Sequence, residues 1–306
     1  MTFKLDILGS SSALPAFGRH HTSQVLSVNN HKYLIDCGEG TQMQLSKYNI
    51  SPAKIKYVFI SHLHGDHFLG LFGLISSMNL LGRQKSLTIF GPVGLKEIIS
   101  VQLKYSGTFL RFRIDFHELP QSTESKLILE NEQLTVHTLP LSHRIDCNGF
   151  IFRERQKLRR IDKEKLPDTL SKWQIRNLKK GENIKSPDGN IILNEDITLP
   201  PKHSRSFAYC SDTKYLPEMI PHLSNCDLLY HEATFLEEHT ERAEVTFHTT
   251  TKQAATLAKE ANVKHLIIGH YSARYRTTEQ FLEEAQSIFP NTSLAIEGKA
   301  YEVEDK

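Results

Sequence analysis

Apolar positions along the chain follow two periods. FKLDILG (3–9), YVFIS (57–61), LTIFG (87–91), LTVHTL (134–139), SFAYCSD (206–212), DLLYHEA (227–233) and HLIIGH (265–270) are short runs rich in β-branched and aromatic residues, and they predict strands. Several are apolar throughout, the pattern of strands covered on both faces. QVLSV and KYLID flank Asn29-Asn30-His31 and predict a hairpin. Between these runs the spacing turns helical. Phe68 to Leu81 predicts a helix, and so does GLKEIISVQLKY behind Gly91-Pro92. TTTKQAATLAKEA (249–261) starts on threonines that can cap it, and TTEQFLEEAQSIF (277–289) has an acidic first turn. Strands interleaved with helices predict a layered α/β fold.

Composition narrows the class. The chain has 306 residues, 39% hydrophobic and 24% charged, which suits a globular protein with a sizeable core and excludes a disordered or fibrous one. The longest run free of charged residues and His, Phe68 to Gly82, is too short to span a bilayer. MTFKLDILGSSS lacks the features of a signal peptide. Cys37, Cys147, Cys210 and Cys226 are dispersed, with no C-x-x-C pair, and predict buried free thiols. These features predict a cytoplasmic protein with reduced thiols and no membrane partner.

The net charge of +2, from 37 Lys plus Arg and 35 Asp plus Glu, hides a segregation. Arg153 to Lys180 holds eleven basic and four acidic residues, while the remainder of the chain is net acidic. This stretch has few apolar residues and no strand pattern. It reads as an insertion between two core strands, an arm over 153–190. Such a segment is either a solvated surface element or a contact for a phosphate backbone.

The densest chemistry is HLHGDH, residues 62–67, directly after the run YVFIS. Imidazole and carboxylate donors without thiolate suit Zn²⁺. His62 and His64, two apart on a loop leaving a strand, can face one ion together. Asp66 and His67 follow Gly65, whose backbone freedom lets the chain turn, and can face a second.

H-x-H-x-D-H resembles the metal motif of the metallo-β-lactamase superfamily. The resemblance implies an αββα sandwich with the site at one sheet edge and further ligands at later strand ends. His143, Asp212 and His270 stand in order at the ends of apolar runs. The resemblance implies two Zn²⁺ per subunit, with His62, His64 and His143 on one, Asp66, His67 and His270 on the other, and Asp212 bridging. IDCGEGTQMQL (35–45), FGPVGL (90–95), HEATF (231–235), His248-Thr249-Thr250 and GHYSARY (269–275) are similar, more narrowly, to segments of the ribonuclease Z family. These motifs cover nearly the whole chain in family order, which implies one catalytic domain over 1–306 with the basic arm as a flexible tRNA-gripping exosite. Arms of that family often carry a Gly-Pro that is absent here, while Lys180-Gly181-Glu182 remains.

The implied activity is removal of 3′ trailers from precursor tRNA after the discriminator base, leaving a tRNA 3′-hydroxyl and a 5′-phosphate on the trailer. Relatives form homodimers in which one subunit's arm serves the other's site. Asp66 is treated in the family as the proton acceptor. His248 can protonate the leaving oxygen because imidazole titrates near neutrality; by residue type alone it reads equally as a helix N-terminal residue. The resemblance suggests that Glu232 orients His248. Ser272 and Arg274 can hold a substrate phosphate, Arg bidentately, although Arg274 could instead pair with a surface acid. The alternative function keeps the fold and metals but takes small phosphodiesters, sulfate esters or lactones.

Overall fold

The computed structural model describes residues 2–186 and 189–305. Two seven-stranded sheets pack face to face, each covered on its outer face by helices, giving an αββα sandwich. The first sheet runs in the order Ala300–Glu302, Phe3–Gly9, Ser23–Val28, His31–Cys37, Ile55–Phe59, Leu87–Pro92, Ile114–Leu119. The second runs Thr292–Leu294, Leu266–Gly269, Leu228–Glu232, Ser206–Cys210, Asn148–Glu154, Leu134–Pro140, Leu127–Glu130.

The continuous apolar runs have a simple cause. Tyr33, Ile35, Tyr57 and Phe59 point into the space between the sheets, where they meet Phe150, Phe152, Phe207 and Tyr209. Their neighbours Leu34, Val58 and Ile60 point outward, against Leu71, Leu74 and Ile75 of the helix Gly70–Leu80. On the second sheet, Ala208, Leu229 and Ile268 meet Ala254, Leu257 and Ala258 of the helix Thr251–Glu260. Both faces of each strand are therefore dry, and alternation disappears from the sequence. Phe59 stacks on Phe90 at 5.0 Å and crosses to Phe150 at 5.3 Å, so aromatic contacts tie the two sheets together.

The predicted hairpin forms, with Asn29 and Asn30 as its loop and His31 already in the second strand. The helix expected over Phe68 to Leu81 is divided into a turn at Gly65–Phe68 and the helix Gly70–Leu80. Gly65 is the first residue of that turn and does not lie in the left-handed region, a correction to its expected role. The glycines the fold demands here are Gly38 and Gly70. A Cβ on Gly38 would lie 2.4 Å from the Asp66 carbonyl, and one on Gly70 would lie 2.0 Å from the Gly38 carbonyl.

The basic stretch enters after the strand Asn148–Glu154 and returns at Ser206–Cys210, so residues 153 and 154 of the expected arm still belong to the sheet. Pro187 and Asp188 lie outside the described residues. The arm contains more structure than its composition predicted. The helix Lys172–Lys180 opens on a Ser171/Gln174 capping box and ends at Gly181 with φ 94°. Ile184–Lys185 pairs with Ile191–Ile192, and Arg160–Ile161 with Thr198–Leu199. Leu170, Leu178, Ile184 and Ile197 form a small core of their own, separate from the sandwich.

Candidate active site

Five strands deliver their C-terminal ends to one rim. His62 follows Ile55–Phe59, His143 follows Leu134–Pro140, Asp212 follows Ser206–Cys210 and His270 follows Leu266–Gly269. Glu232 is itself the last residue of Leu228–Glu232. All seven ligands expected from the sequence meet there in two groups, His62, His64, His143 and Asp212 in one and Asp66, His67 and His270 in the other.

The spacing within each group is close. In the first, His64 Nδ1 is 3.0 Å from His62 Nε2 and 3.1 Å from His143 Nε2. Asp212 Oδ2 is 3.7 Å from His62 Nε2 and 3.8 Å from His143 Nε2. In the second, His67 Nε2 and His270 Nε2 are 3.3 Å apart, and Asp66 Oδ2 is 3.3 Å from each. Asp212 turns its other oxygen this way, with Oδ1 3.1 Å from His270 and 3.4 Å from His67. A tetrahedral shell with ligands at about 2.0–2.1 Å has edges of about 3.3 Å, so these donor separations match the edges of a coordination shell.

Hydrogen bonds behind the rings fix which nitrogen faces inward. His143 Nδ1 donates to the Phe247 carbonyl at 3.0 Å, and His67 Nδ1 to Asp36 Oδ2 at 2.8 Å. His270 Nδ1 donates to Thr234 Oγ1 at 2.9 Å, and that hydroxyl donates on to Glu232 at 2.7 Å. His62 Nδ1 faces Ser61 Oγ, which donates to Asp36. In each case Nε2 keeps its lone pair toward the group, the arrangement found behind metal-bound histidines. Asp212 Oδ1 is buried and accepts no hydrogen bond among the described residues. Burial pushes the pKa of His62 and His143 down and keeps both neutral. Burial also opposes charge on His67, yet Asp66, Asp212 and Asp36 together outweigh it and raise its pKa well above normal. Lone pairs converging on an orphaned carboxylate oxygen, in a negative field, are a donor set that fits metal cations.

Three residues serving this rim hold left-handed backbone without being glycine: Asp36 (φ 51°), Phe247 (φ 59°) and His270 (φ 64°). Each costs about 1–3 kcal/mol and is held by the surrounding packing.

His248 stands beside both groups, 5.3 Å from the His143 ring and 5.6 Å from His270. Its Nδ1 donates to Glu232 Oε1 at 2.9 Å. Burial disfavours the imidazolium, but Glu232 outweighs it and pushes the pKa up to about 9. Glu232 is fully buried and accepts the backbone N–H groups of Thr213, Thr234 and Thr249. A cleft of about 520 Å³ opens above these groups. Ser272 and Arg274 line it, and the Arg274 side chain has no ion pair among the described residues, so the surface-acid alternative is not met.

Some residues of the rim carried no assigned role in the sequence reading. Asp36 anchors His67 and also accepts the Tyr209 hydroxyl at 2.6 Å. Its signal was an acid closing the apolar strand KYLIDC, a buried charge that demands partners. Thr234 joins His270, Glu232 and His248. Arg144 and Arg242 reach the cleft from surface positions that no local pattern marks.

Comparison with known proteins places this rim. The family model for "Anti-Pycsar protein Apyc1" matches residues 3–179, and that for "Beta-lactamase superfamily domain" matches residues 197–271. Ribonuclease Z of Cytophaga hutchinsonii is 50% identical over 307 residues, spanning 100% of this chain and 98% of the relative. The chain belongs to the ribonuclease Z family. Ribonuclease Z of Bacteroides fragilis is 43% identical over 296 residues, covering 96% of this chain and 97% of its own. A solved structure of human tRNase Z, short form, matches with a TM-score of 0.72 at 26% identity, over 97% of this chain and 98% of that one. The ribonuclease Z kinship and the sandwich agree with the fold expected from H-x-H-x-D-H. No helix among the described residues is long and apolar enough to cross a membrane.

Proposed function

We propose that this protein is a zinc-dependent endoribonuclease that removes 3′ trailers from precursor tRNA. It cuts after the discriminator base and leaves a 3′-hydroxyl on the tRNA and a 5′-phosphate on the trailer. The observation that carries this reading is two donor groups sharing Asp212, with a charged His248 beside them, in a chain 50% identical to a ribonuclease Z. His62, His64 and His143 would hold one Zn²⁺, Asp66, His67 and His270 the other, and Asp212 would touch both. When bound, the pair would supply Lewis acidity toward phosphoryl oxygens and lower the pKa of the attacking water.

The chain's own residues move the protons. The Asp66 carboxylate, whose pKa is held well below normal by His67 and His270 against the cost of burial, accepts the proton released as water adds to phosphorus. The bond from phosphorus to the 3′-oxygen breaks, and His248 gives its proton to that oxygen. Glu232 keeps His248 charged and oriented, and three backbone N–H groups keep Glu232 ionised. Arg274 and Ser272 lie where a flanking phosphate can be held.

The arm's position supports a homodimer. Asn148 begins its strand beside the site, with its N–H on the Ser61 carbonyl at 3.1 Å, and Glu154 ends it where the arm departs. Seven residues at about 3.3 Å each put the arm's root roughly 20 Å from the ligands of its own subunit. A second copy would bring an arm to this site. Four buried free cysteines support a reducing, cytoplasmic setting.

End mapping of a cleaved precursor tRNA, with and without chelator, tests the reading. The expected products are a 3′-hydroxyl at the discriminator and a 5′-phosphorylated trailer, both lost on chelation. Cleavage that survives metal removal, or a cyclic phosphate product, would overturn it. Sedimentation should give twice the 35.0 kDa chain mass, and metal analysis two zinc ions per chain.

A further inference from the structure

Beside the catalytic cleft lies a second hollow, of about 610 Å³. The two share His143 and Arg144, so the ligand loop is a ridge between them. The far side of the ridge is largely apolar, formed by Leu141, Ile145, Leu216 and Met219. Polar groups lie around it, among them Ser122, Thr123, Asp146 and Glu218.

The hollow is built rather than incidental. Gln121 ties both ends of the ridge, donating from Nε2 to the Leu141 carbonyl at 2.9 Å and accepting the Cys147 N–H at 2.9 Å. Ser142 is fixed from the other side, its N–H on Thr213 Oγ1 and its carbonyl on the Lys214 N–H. Arg144 stands exposed on the crest, and its side chain has no ion pair among the described residues.

These features select an occupant. The volume lies within the range of about 300–1,000 Å³ found for small-ligand pockets, so an unpaired nucleotide fits and a duplex does not. Apolar walls suit the face of a base, and the carboxylates of Asp146 and Glu218 can accept from exocyclic amino groups. A free guanidinium between cleft and hollow suits a phosphate carried across the ridge. On the proposed substrate, the discriminator base stacks on the acceptor stem, whereas the trailer is a free single strand that can turn aside. Resting on the proposed function, we propose that the hollow is a subsite for the first nucleotide of the 3′ trailer, with its base against Ile145 and Leu216 and its phosphate beside Arg144.

The test pairs substrate and protein changes. Steady-state cleavage is measured on precursor tRNA carrying a normal or an abasic first trailer nucleotide, using wild type, Ile145→Ala and Arg144→Ala. Ile145 and Arg144 are surface positions, and bound metal plus hydrolysis of a chromogenic phosphodiester check that each variant is intact. In wild type the abasic trailer should raise KM about tenfold, the scale of one lost stacking contact. In Ile145→Ala that penalty should vanish. Arg144→Ala should raise KM for both precursors. An abasic trailer cut with unchanged KM, or a full penalty retained in Ile145→Ala, would overturn the subsite. A penalty that appears only when the discriminator is abasic, and couples to Ile145, would overturn the trailer assignment. No cleavage of any precursor beside normal chromogenic hydrolysis would instead overturn the proposed function, and the subsite with it.

Discussion

Asp212 carries more of the site than any other side chain. It places one oxygen toward His62 and His143 and the other toward His67 and His270. Asp212→Ala should therefore strip metal from both groups and cut precursor cleavage by orders of magnitude, read by metal content and initial rates. Near-normal turnover with two bound zinc ions would remove it from the bridge. His248→Ala should behave differently, with kcat falling about 10²–10⁴-fold while metal content stays intact. Asp36 never reaches the cleft, yet it fixes the His67 ring. Asp36→Asn should weaken metal affinity about 10–100-fold, as loss of a carboxylate behind a ligand histidine does, and a chelator competition would show it. The donors His62, His64, Asp66 and His67 were legible because they crowd one hexapeptide. Asp36 and Thr234 were not assigned because each acts through a partner that is distant in sequence or approached only in the fold.

At the level of elements, the arm and the strand ends matter most. The arm's limbs are joined at their root. Glu154 takes Arg205 bidentately at 2.7 and 2.9 Å, and Asp305 binds Lys157 and Lys202, one from each limb. Removing residues 158–201 leaves this clasp in place. That deletion should raise KM for precursor tRNA by an order of magnitude or more and flatten its salt dependence, because clustered cations and their counterion release go with it. Hydrolysis of a small phosphodiester should be spared, and equal losses on both substrates would count against an exosite. The arm's charge was plain in the sequence, and so was the S-x-x-Q signature of its helix start. Its small core was not. Leu170, Leu178, Ile184 and Ile197 are single apolar residues among cations, and only folding back of the segment brings them together.

Over the whole molecule, stability rests on the layer between the sheets. Phe59→Ala should cost about 3–5 kcal/mol, as large-to-small changes do in a packed aromatic core, and denaturant unfolding would measure it. Acid should loosen the end of the sandwich far from the site. For Glu154, burial raises the pKa but hydrogen bonds from Arg205 lower it further, and for Asp227 those from Lys264, His203 and Ser206 do the same. Both folded pKa values thus lie below the unfolded ones of about 4. Their stabilisation is complete above pH 4 and is lost as pH falls through the lower values. The melting temperature should drop steeply below about pH 4, and Glu154→Gln should make that slope shallower. The chain by itself determined the strand and helix periods, the local H-x-H-x-D-H donors and the segregation of positive charge, because each depends on residues near one another in sequence. Tertiary structure alone decided that His67 and His270, 203 residues apart, face one centre, and that Asp212 stands between the two groups. It also decided that the arm leaves from the end away from the site. Those facts depend on which strand ends two packed sheets bring to a common rim, a relation that no local pattern encodes.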